Sequence, residues 1–219
     1  SDIVGFTMLN NETQKFEFRP GAVFSNLLLA DEINRTSPKT QAALLEAMEE
    51  HNVTVDGVTY DLPHPFITMA TQNPMGSAGT QPLPESQLDR FMICLSIGYP
   101  NLEKQIEIIK SRRYDNPIER IEEVASKENV IEVQNYLSSV RISDDVLKYI
   151  VLLCEKTREM PLVELGVSPR GVLALVQMAK AHAVLEDRIY VIPEDVQYVF
   201  LDVCAHRMIL RPQARVEGL

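Results

Sequence analysis

The sequence predicts an α/β fold in which a parallel sheet is followed by a helical subdomain. Residues 1–99 alternate short apolar runs with polar turns, whereas the rest of the chain reads as successive amphipathic helices. The runs at 26–30 and 65–71 lack polar alternation, which is typical of strands covered on both faces in a parallel sheet. The composition shifts near Tyr99, so we expect an α/β core over 1–99 and an all-helical subdomain over 100–219.

Local signals predict the elements of the first subdomain. Residues 6–18 predict a hairpin, because two apolar stretches flank a turn-prone Asn-Asn-Glu segment. Ser37 as the N-cap and Pro38 at the first helical position predict a helix that ends near Glu50. Residues 51–60 then predict a second hairpin around an Asp-Gly turn.

A short helix and a third buried strand complete this subdomain in our interpretation. The short helix is expected within 83–91 and the strand over 92–97. Beyond them, Ser143 and Ser168 signal two well-defined helix starts. The helices expected in the second subdomain span about 101–113, 129–139, 144–158, 169–187 and 193–208.

The overall composition excludes several classes of protein. A formal net charge of -10 argues against a broad nucleic-acid-binding surface, and no apolar run approaches the roughly 18 residues of a membrane span.

Cys94, Cys154 and Cys204 lie in apolar stretches and predict buried, reduced thiols and a cytoplasmic location. The first residues resemble neither a signal peptide nor a natural start, so we expect an internal cut there.

Two adjacent carboxylates, Asp31 and Glu32, follow the first buried strand directly. Ligands of open α/β sheets bind at the carboxyl ends of the strands, and hard oxygen ligands there suit Mg²⁺ together with phosphates. The pair therefore predicts a site for a metal ion and a water molecule. The alternative is a solvated loop start in which the aspartate caps a helix.

Asn73 ends the second buried strand much as Asp31 ends the first. Its amide carries both a donor and an acceptor, so it could orient an attacking water while Glu32 polarises that water. The alternative is a simple Asn-Pro turn that closes the strand.

Two arginines are further candidates for binding an anion. Arg90 lies near a surface in the short-helix segment that precedes the third strand, and Arg170 lies in the first turn of a later helix, where the helix dipole disfavours positive charge. Their alternatives are a surface salt bridge of Arg90 with Asp89 or Glu85 and a fully solvated Arg170.

Four motifs occur in order along the chain, namely Leu-Leu-Leu-Ala-Asp-Glu-Ile-Asn-Arg at 27–35, Ala-Thr-Gln-Asn-Pro at 70–74, Leu-Asp-Arg-Phe at 88–91 and Ser-Pro-Arg at 168–170. Together they resemble the MoxR group of AAA+ ATPases. Further similarity covers 16–21, 39–50, 53–57 and 193–196. The resemblance implies a partial AAA+ core followed by the family's helical lid, with the first hairpin as the helix-2 insertion.

The resemblance also implies a role for each candidate residue. Asp31 would be the Walker B ligand of Mg²⁺ and Glu32 the residue that activates water. Asn73 would be sensor 1, Arg90 the arginine finger offered to the neighbouring subunit, and Arg170 sensor 2. ATP and Mg²⁺ are the implied cofactors.

At the level of the whole protein, the resemblance implies a homo-oligomeric ring, a hexamer by analogy, that remodels or matures a client protein complex. A protein with a von Willebrand A-type domain is an implied partner. Two alternatives stay open, namely a nucleotide-free interaction scaffold and a relative of the helicase or chelatase type.

The chain departs from the family pattern in three places. It contains no Gly-x-x-x-x-Gly-Lys-Ser/Thr phosphate loop, so we expect the chain alone to bind ATP weakly and to be inactive. The family's topology also implies that a strand absent from this sequence lies between the strand that Asn73 ends and the strand expected over 92–97. The loop at 75–80 lacks acidic residues, and Ile192 stands where a Ser or Thr helix cap is usual.

Overall fold

The computed structural model describes residues 3–73, 83–112 and 117–216. The strands are β1 (Phe6–Asn10), β2 (Lys15–Arg19), β3 (Leu27–Ala30), β4 (Asn52–Val55), β5 (Val58–Asp61), β6 (Ile67–Ala70), β7 (Val163–Leu165) and β8 (Ile209–Leu210). The α-helices are α1 (Pro38–Glu50), α2 (Glu85–Leu88), α3 (Leu102–Arg112), α4 (Lys127–Leu137), α5 (Asp144–Glu159), α6 (Pro169–Leu185), α7 (Pro193–Cys204) and α8 (Pro212–Val216). Short 3-10 helices span Ile33–Arg35, Pro117–Arg120 and Ala205–Arg207.

Both predicted hairpins are confirmed. β1 pairs antiparallel with β2, and β4 pairs antiparallel with β5. Asp56 and Gly57 turn the second hairpin with φ angles of 51° and 80°. Two consecutive positive φ angles are the signature of the tight turn that an Asp-Gly pair favours.

The predicted helix α1 is confirmed at both ends. The Ser37 hydroxyl accepts the Thr40 amide hydrogen at 3.2 Å, and Pro38 occupies the first turn. The helix ends at Glu50, and the φ of 54° at the next residue, His51, takes the backbone out of the helical region. Leu44 and Ala47 of α1 are buried in the core of this part of the molecule.

A parallel pair of strands carries the first candidate residues, as predicted. β3 pairs with β6 in a register that places Leu27 opposite Ile67 and Ala30 opposite Ala70. The expectation that β3 and β6 are buried on both faces is wrong, and in β6 the side chains of Ile67 and Met69 are exposed. Leu28 and Ala30 pack against the core, but Leu27 and Leu29 are 57% and 60% exposed, because no described element covers their face.

The third buried strand, expected over 92–97, is also wrong. A strand needs a neighbouring ladder of hydrogen bonds, and none of the described strands lies beside this segment. The Cys94 amide instead donates to the carbonyl of Asp202 in α7 at 2.9 Å. Ile97 is 98% exposed. Cys94, which we expected to be buried, is also exposed.

The helices expected after residue 100 are confirmed, with ends that differ by a few residues. Ser143 and Ser168 cap α5 and α6 as predicted. α5, α6 and α7 enclose a continuous core, which contains Ile150, Leu175 and Val196. The sequence reasoning missed one feature of this otherwise helical part, since β7 and β8 form a small antiparallel pair.

Cys154 and Cys204 are buried in this helical core, as predicted, and neither forms a disulfide bond. The hydrogen bond with Cys154, together with burial, raises the pKa of the Cys204 thiol. A raised pKa keeps that thiol protonated and unreactive.

The architecture is therefore a parallel sheet with its hairpins and α1, followed by a helical subdomain, which confirms the predicted fold class. Over the described residues, no helix combines the length and the apolar character that crossing a bilayer requires.

Candidate functional site

The ends of β3 and β6 are joined by Thr71, which sequence reasoning missed. Its hydroxyl donates to Asp31 Oδ1 at 2.5 Å and accepts the Glu32 amide hydrogen at 2.8 Å. The Ile33 amide donates to the Thr71 carbonyl at 3.0 Å. The only signal in the sequence was a hydroxyl residue at the end of the second strand. These contacts fix the backbone that carries both predicted carboxylates.

Glu32 has an unusual backbone conformation, with φ 49° and ψ 48°. A residue with a side chain pays roughly 1–3 kcal/mol for a sparsely populated conformation of this kind, and such residues cluster at functional sites. The Glu32 carboxylate pairs with Arg35 at 2.8 Å, and both side chains are substantially exposed. A surface pair of this type contributes little to stability, so the carboxylate can exchange partners readily.

Asn73 is the last described residue before 74–82, so the loop predicted over 75–80 lies outside the described residues. The Asn34 side-chain amide donates to the Asn73 carbonyl at 3.3 Å. The Asn34 Oδ1 atom is buried and has no hydrogen-bond partner in the described part of the chain. The structure thus brings the Asn73 backbone to the turn that follows Asp31 and Glu32, at one edge of the parallel pair.

Asp31 is suited to hold a divalent cation. Thr71 occupies one side of its carboxylate, and a magnesium ion in a nucleotide site commonly uses one or two protein carboxylates and takes its other ligands from phosphates and water. Within the described ranges, no group of three or more His, Cys, Asp or Glu side chains could hold a metal ion by itself. The residues present therefore fit a magnesium ion that arrives with a phosphate ligand.

Arg90 and Arg170 form a second group around Glu49, at the end of α1. Glu49 Oε2 lies 3.1 Å from the Arg90 guanidinium, and Glu49 Oε1 contacts the Arg170 guanidinium. Glu49 and the two arginines, with Met48, line a surface cavity of about 200 Å³. Both guanidinium groups thus converge on one carboxylate, which is an arrangement that suits an anionic ligand.

The sequence reasoning missed Glu49, and it named the wrong partners for Arg90. Arg90 does form a surface ion pair, but with Glu49 rather than with Asp89 or Glu85. Arg170 is not fully solvated either, because Glu49 contacts it. Glu49 and Arg170 are 121 positions apart, so no local sequence pattern could predict their contact.

A third group links the segment around Arg90 to the helical subdomain. The Ser168 hydroxyl lies 2.8 and 2.9 Å from the two Asp89 carboxylate oxygens, and Arg207 Nε donates to Asp89 Oδ1 at 3.0 Å. Arg207 also donates from Nη2 to the backbone carbonyls of Asp89 and Phe91, at 3.1 and 2.6 Å.

Arg207 is a buried charge, with a side chain only 1% exposed. Burial lowers its pKa, and the neighbouring Asp89 carboxylate opposes that effect. Gly171 lies against it, since a Cβ atom at this position would come within 2.7 Å of Arg207 Cδ. Nothing in the sequence distinguished Arg207 from a surface arginine.

Ile192, which replaces the expected capping residue, is compensated by Asp195. The Asp195 carboxylate accepts the Ile192 amide hydrogen at 2.8 Å and contacts Arg188 and His182. Burial alone would raise the pKa of Asp195, but the hydrogen bonds from Arg188, the Ile192 amide and His182 lower it to about 2. Asp195 therefore holds the start of α7 as an ionised carboxylate.

Comparison with known proteins gives two family matches. A family model described as "ATPase family associated with various cellular activities (AAA)" matches residues 1–93, and one described as "AAA lid domain" matches 155–218. Among solved structures, a proposed ATPase from Cytophaga hutchinsonii superimposes with a TM-score of 0.90 at 39% identity. That match covers 100% of this chain and 69% of the other.

Relatives among curated proteins extend over the whole chain. YeaC of Bacillus subtilis is 51% identical over 219 residues, covering 100% of this chain and 68% of YeaC. The chaperone MoxR1 of Mycobacterium tuberculosis is 36% identical, over 100% of this chain and 60% of MoxR1. A magnesium-chelatase subunit ChlI homolog of Methanocaldococcus jannaschii is 30% identical over 85% of this chain and 51% of its own length. The chain thus spans about half to two thirds of these relatives.

Proposed function

Because the chain belongs to the MoxR family of AAA+ ATPases, we propose that its full-length protein is a Mg²⁺-dependent ATPase that remodels client protein complexes. The observation that carries this proposal is the sheet edge where Thr71, directly after β6, fixes Asp31 and Glu32, directly after β3. Phosphoryl transfer depends chiefly on positioning and on charge, and this edge supplies positioned oxygen ligands.

At this edge, Asp31 is proposed to hold Mg²⁺, which would neutralise charge on the ATP phosphates. Glu32 is proposed to polarise the attacking water, since its carboxylate is exposed and weakly paired. Asn73 is proposed to orient the same water, because its backbone lies against the turn after Glu32.

The two arginines are proposed to act on phosphates from different subunits. AAA+ proteins usually assemble as oligomeric rings in which each nucleotide lies near a subunit interface. Arg170, near the start of α6, would sense the nucleotide of its own subunit, and Arg90 would reach that of the neighbour. The convergence of both guanidinium groups on one carboxylate, Glu49, supports a place for anionic ligands near these residues.

We also propose that each subunit has an α/β core over 1–99 and a lid over 100–219, and that the subunits form a hexameric ring. A protein with a von Willebrand A-type domain is the proposed partner. The chelatase-type alternative is weaker, since MoxR1 matches the whole chain at 36% identity, against 30% for the ChlI homolog over part of it.

Two measurements test the proposal. We expect the full-length protein to release phosphate from ATP with Mg²⁺ and to stop when EDTA removes the metal. We expect the 219-residue chain, which contains no phosphate-loop sequence, to bind Mg-ATP only weakly in a calorimetric titration. A full-length protein without Mg²⁺-dependent hydrolysis refutes the first expectation. A low-micromolar dissociation constant for the 219-residue chain refutes the second.

A further inference from the structure

Ser168 and Asp89 form a direct link between the two proposed phosphate-sensing arginines. Ser168 caps α6, whose first turn contains Arg170, and Asp89 immediately precedes Arg90. The Ser168 hydroxyl lies within 2.9 Å of both Asp89 carboxylate oxygens, although the two residues are 79 positions apart. A displacement of the start of α6 must therefore act on the residue next to Arg90.

The Ser168 hydroxyl has two functions at once. It accepts the Gly171 amide hydrogen at 3.0 Å, as a helix cap does, and it donates its own hydrogen to Asp89. A hydrogen bond to an ionised acceptor is stronger than one between neutral groups. The orientation of α6 and the position of the Asp89 carboxylate are thus tied through one oxygen atom.

Arg207 makes this link stiff. Its buried guanidinium holds the Asp89 side chain and the carbonyls of Asp89 and Phe91, so the backbone on both sides of Arg90 is attached to the helical subdomain. Glu49 of α1 holds Arg90 from the other side. The segment around Arg90 therefore contacts both α1 and the helical subdomain.

We infer that Ser168 and Asp89 are positioning residues that transmit the nucleotide state of one subunit to the arginine finger it offers to the next. The inference rests on the roles proposed above for Arg90 and Arg170. Nucleotide contact with Arg170 would shift the start of α6, and the Ser168–Asp89 bond would carry that shift to Arg90. Neighbouring ATP sites in the ring would then be coupled without any contact between their nucleotides.

The test uses Ser168→Ala in the full-length protein, with Ser143→Ala as the matched control. Ser143 caps α5 through the Val146 amide at 3.3 Å, so both variants lose one N-cap of a helix in the same subdomain. Only Ser168 also contacts Asp89 in the described structure. Ser168→Thr keeps a hydroxyl that can cap and donate, and it serves as the conservative rescue.

Phosphate release is measured against ATP concentration for all four proteins. We expect a sigmoidal curve for the unaltered protein and for Ser143→Ala, because allosteric coupling typically changes affinities by about 5–150-fold. Ser168→Ala should bring the Hill coefficient to about 1 and shift the half-saturating ATP concentration, because the coupling between the sites is lost, and kcat should fall because Arg90 no longer follows the nucleotide state of its own subunit. Ser168→Thr should restore all three.

Asp89→Asn alone should lower the Hill coefficient as Ser168→Ala does, and the double variant should match the single variants, because the effects of two residues of one contact are not additive. A hyperbolic curve for the unaltered protein, or equal behaviour of Ser168→Ala and Ser143→Ala, overturns the inference while the proposed ATPase stands. Absence of hydrolysis by the unaltered protein overturns the proposed function, and the inference with it.

Discussion

Thr71 donates its hydroxyl hydrogen to Asp31 at 2.5 Å and holds the carboxylate at the end of the neighbouring parallel strand. Residues that orient a metal ligand commonly contribute 10–100-fold to metal affinity. We therefore expect Thr71→Val in the full-length protein to raise the Mg²⁺ concentration for half-maximal ATP hydrolysis by about that factor, measured by magnesium titration at saturating ATP.

Thr68 offers a matched control for this experiment. It lies in β6, the strand that Thr71 directly follows, and its hydroxyl oxygen is buried without a hydrogen-bond partner among the described residues. Thr68→Val should leave the magnesium dependence unchanged. Equal effects of the two substitutions on the magnesium dependence would show that Thr71→Val disturbs the packing of β6 and does not act by releasing Asp31.

Glu32→Gln should separate binding from hydrolysis. The amide keeps the shape of the side chain but cannot accept a proton from water, and loss of a positioned base typically costs about 10²–10⁴-fold in rate. In the full-length protein, phosphate release should fall by at least about two orders of magnitude while ATP binding by calorimetry is retained. Glu155→Gln, on the exposed side of α5, is the control, and normal turnover by Glu32→Gln would remove Glu32 from this role.

Arg90→Ala should be rescued by mixing. If the arginine serves the neighbouring subunit, Arg90→Ala subunits have intact sites, and Glu32→Gln subunits have intact fingers. Arginine fingers contribute about 10³–10⁵ in turnover, so even a few mixed interfaces should be visible above two inactive parents. Phosphate release is measured across mixing ratios. Absence of rescue in rings shown by sedimentation to be mixed would mean that Arg90 does not act in trans.

Arg170→Ala should reduce hydrolysis without unfolding the lid. The guanidinium lies in the first turn of α6, contacts Glu49 and is 41% exposed, so its removal opens no cavity in the helical core. We expect at least about a 10-fold lower turnover, which corresponds to roughly 1.4 kcal/mol. Circular dichroism of the same sample should be unchanged, and a loss of helical signal would identify Arg170 as a structural residue instead.

Acid should destabilise the helical subdomain through Asp195. The hydrogen bonds that outweigh burial give this carboxyl a folded pKa of about 2, below its ordinary value of 3.8. A lowered folded pKa means that the stabilisation is complete above about pH 4 and disappears as the pH falls towards 2. The amount is about 2 kcal/mol, measurable by urea unfolding at several pH values.

Asp195→Asn is the comparison, because an amide cannot titrate in this range. The difference in unfolding free energy between the two proteins should be largest near neutral pH and shrink below pH 4. A difference that stays constant with pH would mean that the contacts with Arg188 and His182 do not lower the pKa of Asp195 in the folded protein.

The elements that the sequence predicted correctly are those determined by nearby residues. Ser37, Ser143 and Ser168 cap their helices because the hydroxyl needs only the amides of the next turn. The Asp-Gly hairpin and the apolar runs of β3 and β6 are equally local signals. The roles of the candidate residues remain predictions.

The errors concern features that depend on distant partners. The segment 92–97 has the composition of a strand but no described neighbour to pair with, and the exposure of Leu29 depends on what covers one face of β3. The Ser168–Asp89 contact spans 79 positions, so no periodicity or spacing could reveal it. The same holds for the buried guanidinium of Arg207.

The left-handed backbone of Glu32 has a consequence for protein engineering. Glycine adopts this conformation at no steric cost, and asparagine adopts it more easily than glutamate. Selection for thermal stability alone should therefore enrich Gly or Asn at this position, and each would remove the carboxylate. Libraries of this protein screened by melting temperature should thus yield variants that are more heat-resistant and, if Glu32 activates water, catalytically silent.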